Sequence, residues 1–246
     1  MNPRRANQSG RFPKRPALAL IVAVLLTSSC AADQPITSAP EADSTTVLSQ
    51  SDLDAAAQSV VGVVIAGCRP GEQFGTGVVV ADDLVVTSAH TVAGANEISV
   101  VADGTRAAGV IVAFDKNVDL AVLRTTSGRH PLRLGAAVGP EPVTLLTWRP
   151  EDGVRIQPGS ISRLLLVTIE DIYIQGSYKR DALEIAAPVV HGDSGGPVLN
   201  DRGEVVGVIY ASSSAAPDIG FAVSSTEIRK VLDRVGDPVS GNSRCT

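Results

Sequence analysis

The chain has 246 residues, of which 44% are hydrophobic and 19% charged, and its formal net charge is −5. This length suits one or two domains, and the composition is that of a globular protein. The negative charge and the lack of a basic stripe after the N-terminus argue against nucleic acid as a partner.

Residues 1–30 predict an export signal. Basic residues precede the apolar run ALALIVAVLL at 17–26, and the small residues of TSSCAAD follow it. The run is much shorter than the roughly 20 residues that a membrane helix needs. Two outcomes stay open. Cleavage near Ala31 would release the protein, whereas lipidation of Cys30 would anchor it, because LLTSSC resembles a bacterial lipobox. We expect an exported protein, in the bacterial cell envelope or periplasm or secreted, with membrane contact only through such an anchor.

A change in pattern separates a linker from a domain. Residues 31–55 are mostly small and polar, which predicts a disordered linker. The domain is expected over 56–246. From Val60 onward it contains many short β-like runs bounded by Gly, Pro, Asn or Asp. These runs do not alternate with long helical patterns. They indicate an all-β barrel or sandwich rather than a doubly wound α/β sheet.

One helix is predicted, over residues 225–235 at the end of the domain. Ser224 is placed as its N-cap, and Glu227 three positions later completes a capping box. Gly236 supplies the stop. Apolar residues recur at helical spacing, which predicts that one face packs on the barrel; they are Ile228, Val231, Leu232 and Val235.

The sequence HGDSGGPVLN places Ser194 among glycines, as a nucleophile on a shaped turn would be. The chain has three histidines that could serve as its base. His90 follows an apolar strand in VVTSAHTV and is the candidate. His130 lies in a polar loop, and His191 is better placed to line a substrate cleft than to deprotonate Ser194.

Asp119 is the candidate acid that orients His90, because it stands directly before the apolar run LAVL. Asp115 competes with it, but FDKN is an ordinary turn. The chain order His90, Asp119, Ser194 is that of the chymotrypsin type. GDSGG also matches the nucleophile elbow of α/β-hydrolases, in which the histidine follows the serine. No histidine follows Ser194, so that fold is excluded.

The blocks TSAH, NVDLAVL, GDSGGP and DIGFAV together resemble the trypsin-like (chymotrypsin-fold) serine peptidases. The residues of these blocks are most similar to those of the bacterial branch, which includes the high-temperature-requirement proteases and a mycobacterial acid-resistance periplasmic serine protease. The resemblance covers about residues 56–246. It implies an all-β fold of two six-stranded β-barrels, at about 58–128 and 140–224, with a C-terminal α-helix. The high-temperature-requirement proteases carry a C-terminal PDZ module, and in departure from them we expect a stand-alone protease domain without one.

The resemblance also implies a serine endopeptidase that hydrolyses protein or peptide substrates. Ser194 would attack, His90 would act as general base, and Asp119 would orient the ring. The backbone N–H groups of Gly192 and Ser194 would form the oxyanion hole. No cofactor and no metal are expected, and a monomer is the default. The alternative is a catalytically idle, protease-fold binding lipoprotein, which the complete triad disfavours.

By the same resemblance, three segments wall the specificity pocket. Pro188 occupies the floor position, where an acid would select Arg or Lys, so we expect a small or medium apolar P1 residue. His191 lies at the rim, where it either tunes binding with pH or has no role. The pocket residues are Pro188, His191, Tyr210, Ser212, Gly220 and Phe221.

Cys68 and Cys245 remain once Cys30 is removed or lipidated. In an oxidising compartment two such thiols most simply pair, and two free thiols are the alternative. The resembled mycobacterial protease has a disulfide between corresponding places. Asp193 poses a further question, since in zymogen-type relatives this aspartate pairs with a newly freed N-terminus. No Ile-Val-Gly-Gly junction is present here to supply one.

Overall fold

The computed structural model describes residues 48–67, 69–239 and 244–246. The predicted export signal, the lipidation site Cys30 and Cys68 lie outside the described residues. In the described part of the chain, no helix is long and apolar enough to cross a membrane. Helix α1 (Gln50–Ala57) lies partly in the stretch predicted as a disordered linker, and it is capped by the Ser49 hydroxyl, which accepts the Asp52 N–H.

The first half of the domain is one antiparallel sheet of seven strands, in the order β5-β4-β1-β2-β3-β7-β6. Its Val-rich strands suit a pleated surface that is buried, and β1 is buried along nearly its whole length. The elements are β1 (Val60–Ala66), β2 (Gln73–Ala81), β3 (Leu84–Thr87), α2 (Ala89–Val92), β4 (Glu97–Ala102), β5 (Thr105–Ala108), β6 (Val110–Asp115) and β7 (Leu120–Arg124).

The second half is a closed barrel of six strands, in the order β10-β13-β12-β11-β8-β9, followed by a helix. The elements are β8 (Glu141–Arg149), β9 (Gly153–Glu170), β10 (Ser177–Ala186), β11 (Pro197–Leu199), β12 (Val205–Ser212), β13 (Ile219–Ser224) and α3 (Ser225–Leu232). The predicted all-β, chymotrypsin-like architecture with a C-terminal helix is therefore confirmed.

The first sheet differs from the predicted six-stranded barrel in its strand count. Its two edge strands, β5 and β6, are consecutive in the chain and separated by Gly109 alone. The Gly109 N–H donates to the Ile98 carbonyl at 2.9 Å, so the chain bends there while remaining attached to β4. The seventh strand therefore arises from a break at one glycine.

The C-terminal helix is shorter than predicted and lacks the predicted capping box. It ends at Leu232, and the Ser224 hydroxyl accepts the N–H of Thr226. Glu227 does not turn back to the cap. Its carboxylate accepts the Asp181 N–H of β10 at 3.2 Å and pairs with Lys230 at 3.0 Å. This contact to the barrel replaces the local one.

The two halves meet where β1 faces Trp148, at the end of β8. A Cβ added to Gly62 would lie 2.5 Å from the Trp148 ring, so this contact requires glycine. The end of β3, the end of β8 and the loop before β11 meet beside it, since Thr76 of β2 bonds to all three. The segments that follow β3 and β6 and the loop before β11 hold the predicted residues His90, Asp119 and Ser194.

Candidate active site

Asp119 holds both the ring and the backbone of His90. Its Oδ2 lies 2.8 Å from His90 Nδ1, and its Oδ1 accepts the His90 backbone N–H at 2.9 Å. The Asp119 carbonyl also accepts the N–H of Ala89 at 3.2 Å. The carboxylate is buried, whereas 32% of the His90 side chain is exposed. Because Nδ1 is bonded to Asp119, Nε2 is the ring nitrogen that can accept a proton.

The turn before β7 presents Asp119 in a strained conformation. Its φ is +61°, in the left-handed region that non-glycine residues rarely occupy. Asp115 organises this turn, because its Oδ1 accepts the N–H groups of Asn117 and Val118 at 2.9 and 3.2 Å. Its other oxygen accepts from Arg234 at 2.5 Å. The structure thus places Asp119, and not Asp115, against His90.

The pKa of His90 is raised above its ordinary value. Burial of the ring opposes protonation, but the charge of Asp119 and its hydrogen bond outweigh that effect. Arg180 contributes a weaker effect in the opposite direction. The ring is therefore a stronger base than a free imidazole, as a proton acceptor should be.

The loop before β11 forms a tight turn with His191 and Gly192 at its corner. The Asp193 N–H donates to the Val190 carbonyl at 3.1 Å, and Gly192 has a φ of +92°. Of the two corner residues, only Gly192 has a positive φ. This is the pattern of a type II turn, which favours glycine at its second corner position. Among the described residues, the N–H groups of Gly192 and Ser194 donate to no partner. Both residues line the same cavity.

An ion pair that sequence reasoning missed holds Asp193. Arg149, at the end of β8, donates to Asp193 Oδ1, and the side chains of both residues are less than 10% exposed. The other Asp193 oxygen accepts the Val190 N–H at 2.7 Å. Arg149 also donates to the Trp148 carbonyl at 3.0 Å. Arg149 thus pairs with the carboxylate that, in zymogen-type relatives, pairs with a freed N-terminus.

Thr76 on β2 connects the first sheet to the nucleophile loop. Its N–H donates to the Ser194 carbonyl at 2.8 Å, and its hydroxyl donates to the Gly192 carbonyl at 3.0 Å. The same hydroxyl accepts the Trp148 N–H at 2.9 Å. A Cβ on Gly195 would lie 1.8 Å from the Thr76 carbonyl, so this position also requires glycine.

His90 and Ser194 line one cavity of about 160 Å³. In the described part of the chain, no hydrogen bond joins the Ser194 hydroxyl to the His90 ring. Such bonds are often long before substrate binds. His191 belongs to the same wall, where its ring lies edge-on to Phe74 with the centroids 6.2 Å apart. Arg69 and Thr246 complete one side of the cavity.

The predicted specificity walls lie outside this cavity, apart from His191. Val189 packs toward Gly220, where an added Cβ would lie 2.3 Å from a Val189 methyl. The Pro188 carbonyl accepts from Gln157 at 3.0 Å. Ser212 is exposed. The ring of Tyr210 lies 6.4 Å from that of Phe221, but its face is covered by Arg180.

Sequence reasoning missed Thr76, Arg149 and Arg180. Thr76 carried a signal, since it lies between two glycines in GTG, where close backbone approach is expected. Arg149 and Arg180 carried no such signal in the sequence, because a charged residue near a strand end is ordinarily solvated. Within the described residues, no group of three or more His, Cys, Asp or Glu side chains could hold a metal ion.

Comparison with protein families matches residues 75–208 to the trypsin-like peptidase domain. The fold is of the same class, and the chain belongs to this family. Serine protease Rv3671c of Mycobacterium tuberculosis (strain H37Rv) is 31% identical over 169 residues, which cover 66% of this chain and 42% of the relative. A probable periplasmic DegP-like serine endoprotease of Brucella suis is 29% identical over 176 residues, covering 68% and 34%.

Solved structures give the same result. The active form of the Rv3671c protease from M. tuberculosis superposes with a TM-score of 0.75 at 30% identity, covering 79% of this chain and 88% of that one. The HtrA-type protease AlgW with a tripeptide shares the fold with a TM-score of 0.62 at 24% identity, covering 74% of this chain and 61% of that one. The chain spans less than half the length of these curated relatives. The predicted family resemblance is confirmed.

Proposed function

We propose that this protein is an exported serine endopeptidase that hydrolyses peptide bonds through His90, Asp119 and Ser194. The observation that carries the proposal is the double hydrogen bond of Asp119 to the ring and backbone of His90, in a cavity that Ser194 shares. The names of the relatives support it, since all those described above are proteases. The name of the DegP-like relative supports export to a periplasm.

In the proposed mechanism, Ser194 Oγ attacks the substrate carbonyl carbon while His90 Nε2 takes the hydroxyl proton. The N–H groups of Gly192 and Ser194 stabilise the oxyanion that forms. The imidazolium, which Asp119 stabilises, then protonates the leaving amine. Water attacks the acyl-enzyme by the same route, with His90 again as base, and releases the second product.

The P1 preference that we propose is a small or medium apolar side chain. Gly220 faces Val189, whose methyl groups occupy the space next to it. Pro188 provides no charge at the floor position. An aliphatic residue at the wall and an uncharged residue at the floor position that the resemblance assigns both disfavour a basic side chain. Substrate profiling with peptides that differ only at P1 tests this preference, and faster cleavage after Arg or Lys than after Ala or Val would contradict it.

Activation in this proposal needs no newly freed N-terminus, because Arg149 supplies the charge that Asp193 requires. The Cys68–Cys245 disulfide stays a prediction and a second source of order. Residues beside both cysteines are in contact, since Arg69 donates to the Thr246 carbonyl at 3.3 Å next to the cavity. A reductant is therefore expected to lower activity. Unchanged turnover after confirmed reduction would contradict that role.

The experiment that tests the function is fluorophosphonate labelling of the purified protein, with Ser194→Ala as the control. Labelling and hydrolysis of a casein-type substrate are expected for the wild type only. A folded wild type that labels at no pH, with or without reductant, would favour the idle binding lipoprotein. Mass spectrometry of the mature N-terminus separates cleavage near Ala31 from lipidation of Cys30, and sedimentation tests the expected monomer.

A further inference from the structure

A buried guanidinium that the mechanism above does not use lies behind the acid turn. Arg180 belongs to β10 and is 2% exposed. Its Nη1 donates to the Val118 carbonyl at 2.6 Å, directly before the strained residue Asp119. Its guanidinium carbon lies 4.0 Å from the centroid of the Tyr210 ring. A side chain of the second barrel thus supports the acid turn of the first sheet.

This arginine is poorly compensated. Among the described residues, no carboxylate forms an ion pair with Arg180, and its Nε is buried without a hydrogen-bond partner. Burying a charge without a counter-charge is costly, and a carbonyl and an aromatic face offset only part of that cost. A costly group beside Asp119 indicates a role in the site rather than in stability.

We propose that Arg180 is a positioning residue for the His90–Asp119 pair, an inference that rests on the proposed function. Its guanidinium holds the Val118 carbonyl, and with it the left-handed backbone of Asp119, and it places a fixed positive charge behind the pair. Tyr210, predicted as a pocket wall, is the platform on which this guanidinium rests.

The charge and the geometry have separable effects. Burial and Asp119 dominate the pKa of His90, and the charge of Arg180 lowers it. Loss of that charge therefore raises the pKa of His90 and moves the acidic limb of activity to higher pH. If Arg180 acted through geometry alone, its loss would lower the rate and leave the acidic limb of the pH–activity profile at the same pH. The charged or titratable groups on the elements that contact His90, Asp119 or Arg180 include Tyr210, the Asp115–Arg234 and Lys116–Asp171 pairs, Glu227 with Lys230 on α3, and Arg69 and His191 in the cavity.

The test compares Arg180→Met and Arg180→Gln with the charge-retaining Arg180→Lys, and uses Lys179→Met as a matched control. Lys179 is the exposed neighbour on the same strand. Both neutral variants are expected to lose about 10- to 100-fold in kcat/KM and to shift the acidic limb upward. Arg180→Lys should lose rate without the shift, because it keeps the charge but not the planar fork. Lys179→Met should change neither kcat/KM nor the position of the acidic limb.

A second measurement does not require turnover. The three histidines can be titrated by NMR in a Ser194→Ala background, where the His90 pKa should rise in Arg180→Gln and stay unchanged in Lys179→Met. Should Arg180→Met not fold, Arg180→Gln carries the test, since its amide can still donate to the Val118 carbonyl. Unchanged kcat/KM and an unmoved acidic limb in Arg180→Gln, together with an unmoved His90 titration in the Ser194→Ala background, would overturn the inference. A wild type that never labels would count against the proposed function, while the titration would still decide the role of Arg180.

Discussion

The two halves of the site each contain a buried arginine, and the two arginines differ in what they face. On the nucleophile side, Arg149 pairs with Asp193, and the pair fixes the turn that exposes the N–H groups of Gly192 and Ser194. On the acid side, Arg180 has a carbonyl and a ring face but no ion pair among the described residues. The difference follows from chemistry: the carboxylate of the acid side is already engaged by His90.

This contrast predicts that the acid side depends on one carboxylate for its chemistry and the nucleophile side on one ion pair for its shape. Asp119→Asn is therefore expected to have the largest effect. An amide cannot hold the required tautomer or stabilise the imidazolium, and related triads lose about 10⁴-fold in kcat. The measurement is kcat on a peptide substrate.

Asp115→Asn is the matched control, four positions earlier in the same turn. Its carboxylate accepts backbone N–H groups and Arg234 but does not reach His90. We expect a loss of about 1 kcal/mol in stability and little change in kcat. Equal losses of activity in the two variants would show that the turn, rather than the Asp119 carboxylate, carries the effect.

The contact of His90 with Asp119 and the position of Ser194 in the same cavity as His90 could be predicted from the sequence, because each residue lies in a contiguous block. His90, Asp119 and Ser194 each stand in a recognisable motif, and the order of the three motifs along the chain excludes the α/β-hydrolase fold. Arg149 and Arg180 lie 44 and 62 residues from their partners Asp193 and Val118. Local pattern cannot show such pairings, because Arg149 meets Asp193 only when the second barrel closes, and Arg180 meets Val118 only when that barrel packs against the first sheet. The seventh strand could not be predicted because Gly109 divides what the sequence presents as one continuous β-like run into β5 and β6.

The ion pair on the nucleophile side is the next target. Arg149→Met leaves Asp193 buried without its counter-charge, which should destabilise the protein by about 3–5 kcal/mol and lower labelling of Ser194 by about 10²-fold. Urea unfolding and the rate of fluorophosphonate labelling measure the two effects.

The double variant Arg149→Met with Asp193→Asn separates charge from shape. Removal of both charges should restore most of the stability, because no uncompensated ion remains. Labelling should stay slow, since the hydrogen bonds that fix the turn are weakened. Recovery of both quantities together would mean that the pair has no specific part in shaping the loop.

The pH profile gives a smaller and graded effect that belongs to the acid side alone. Because Asp119 raises the pKa of His90 despite burial of the ring, the acidic limb of kcat/KM should lie above the ordinary imidazole value of about 6.5. Protonated His90 cannot accept the Ser194 proton, so activity should fall about tenfold per pH unit below that limb. A limb at or below the ordinary value would contradict the proposed strength of the Asp119 interaction.

Thr76 tests whether the two halves are independent, because it belongs to the first sheet yet holds the nucleophile loop. Its hydroxyl donates to Gly192 and accepts from Trp148, while its backbone N–H donates to Ser194. Thr76→Val keeps the shape and the backbone bond but leaves two buried polar groups unsatisfied, so we expect about a tenfold loss in kcat and about 1–3 kcal/mol in stability. Thr76→Ser restores the hydroxyl and should recover most of the rate. If both variants instead lose rate equally, the methyl group and not the hydrogen bonds couples the sheet to the loop.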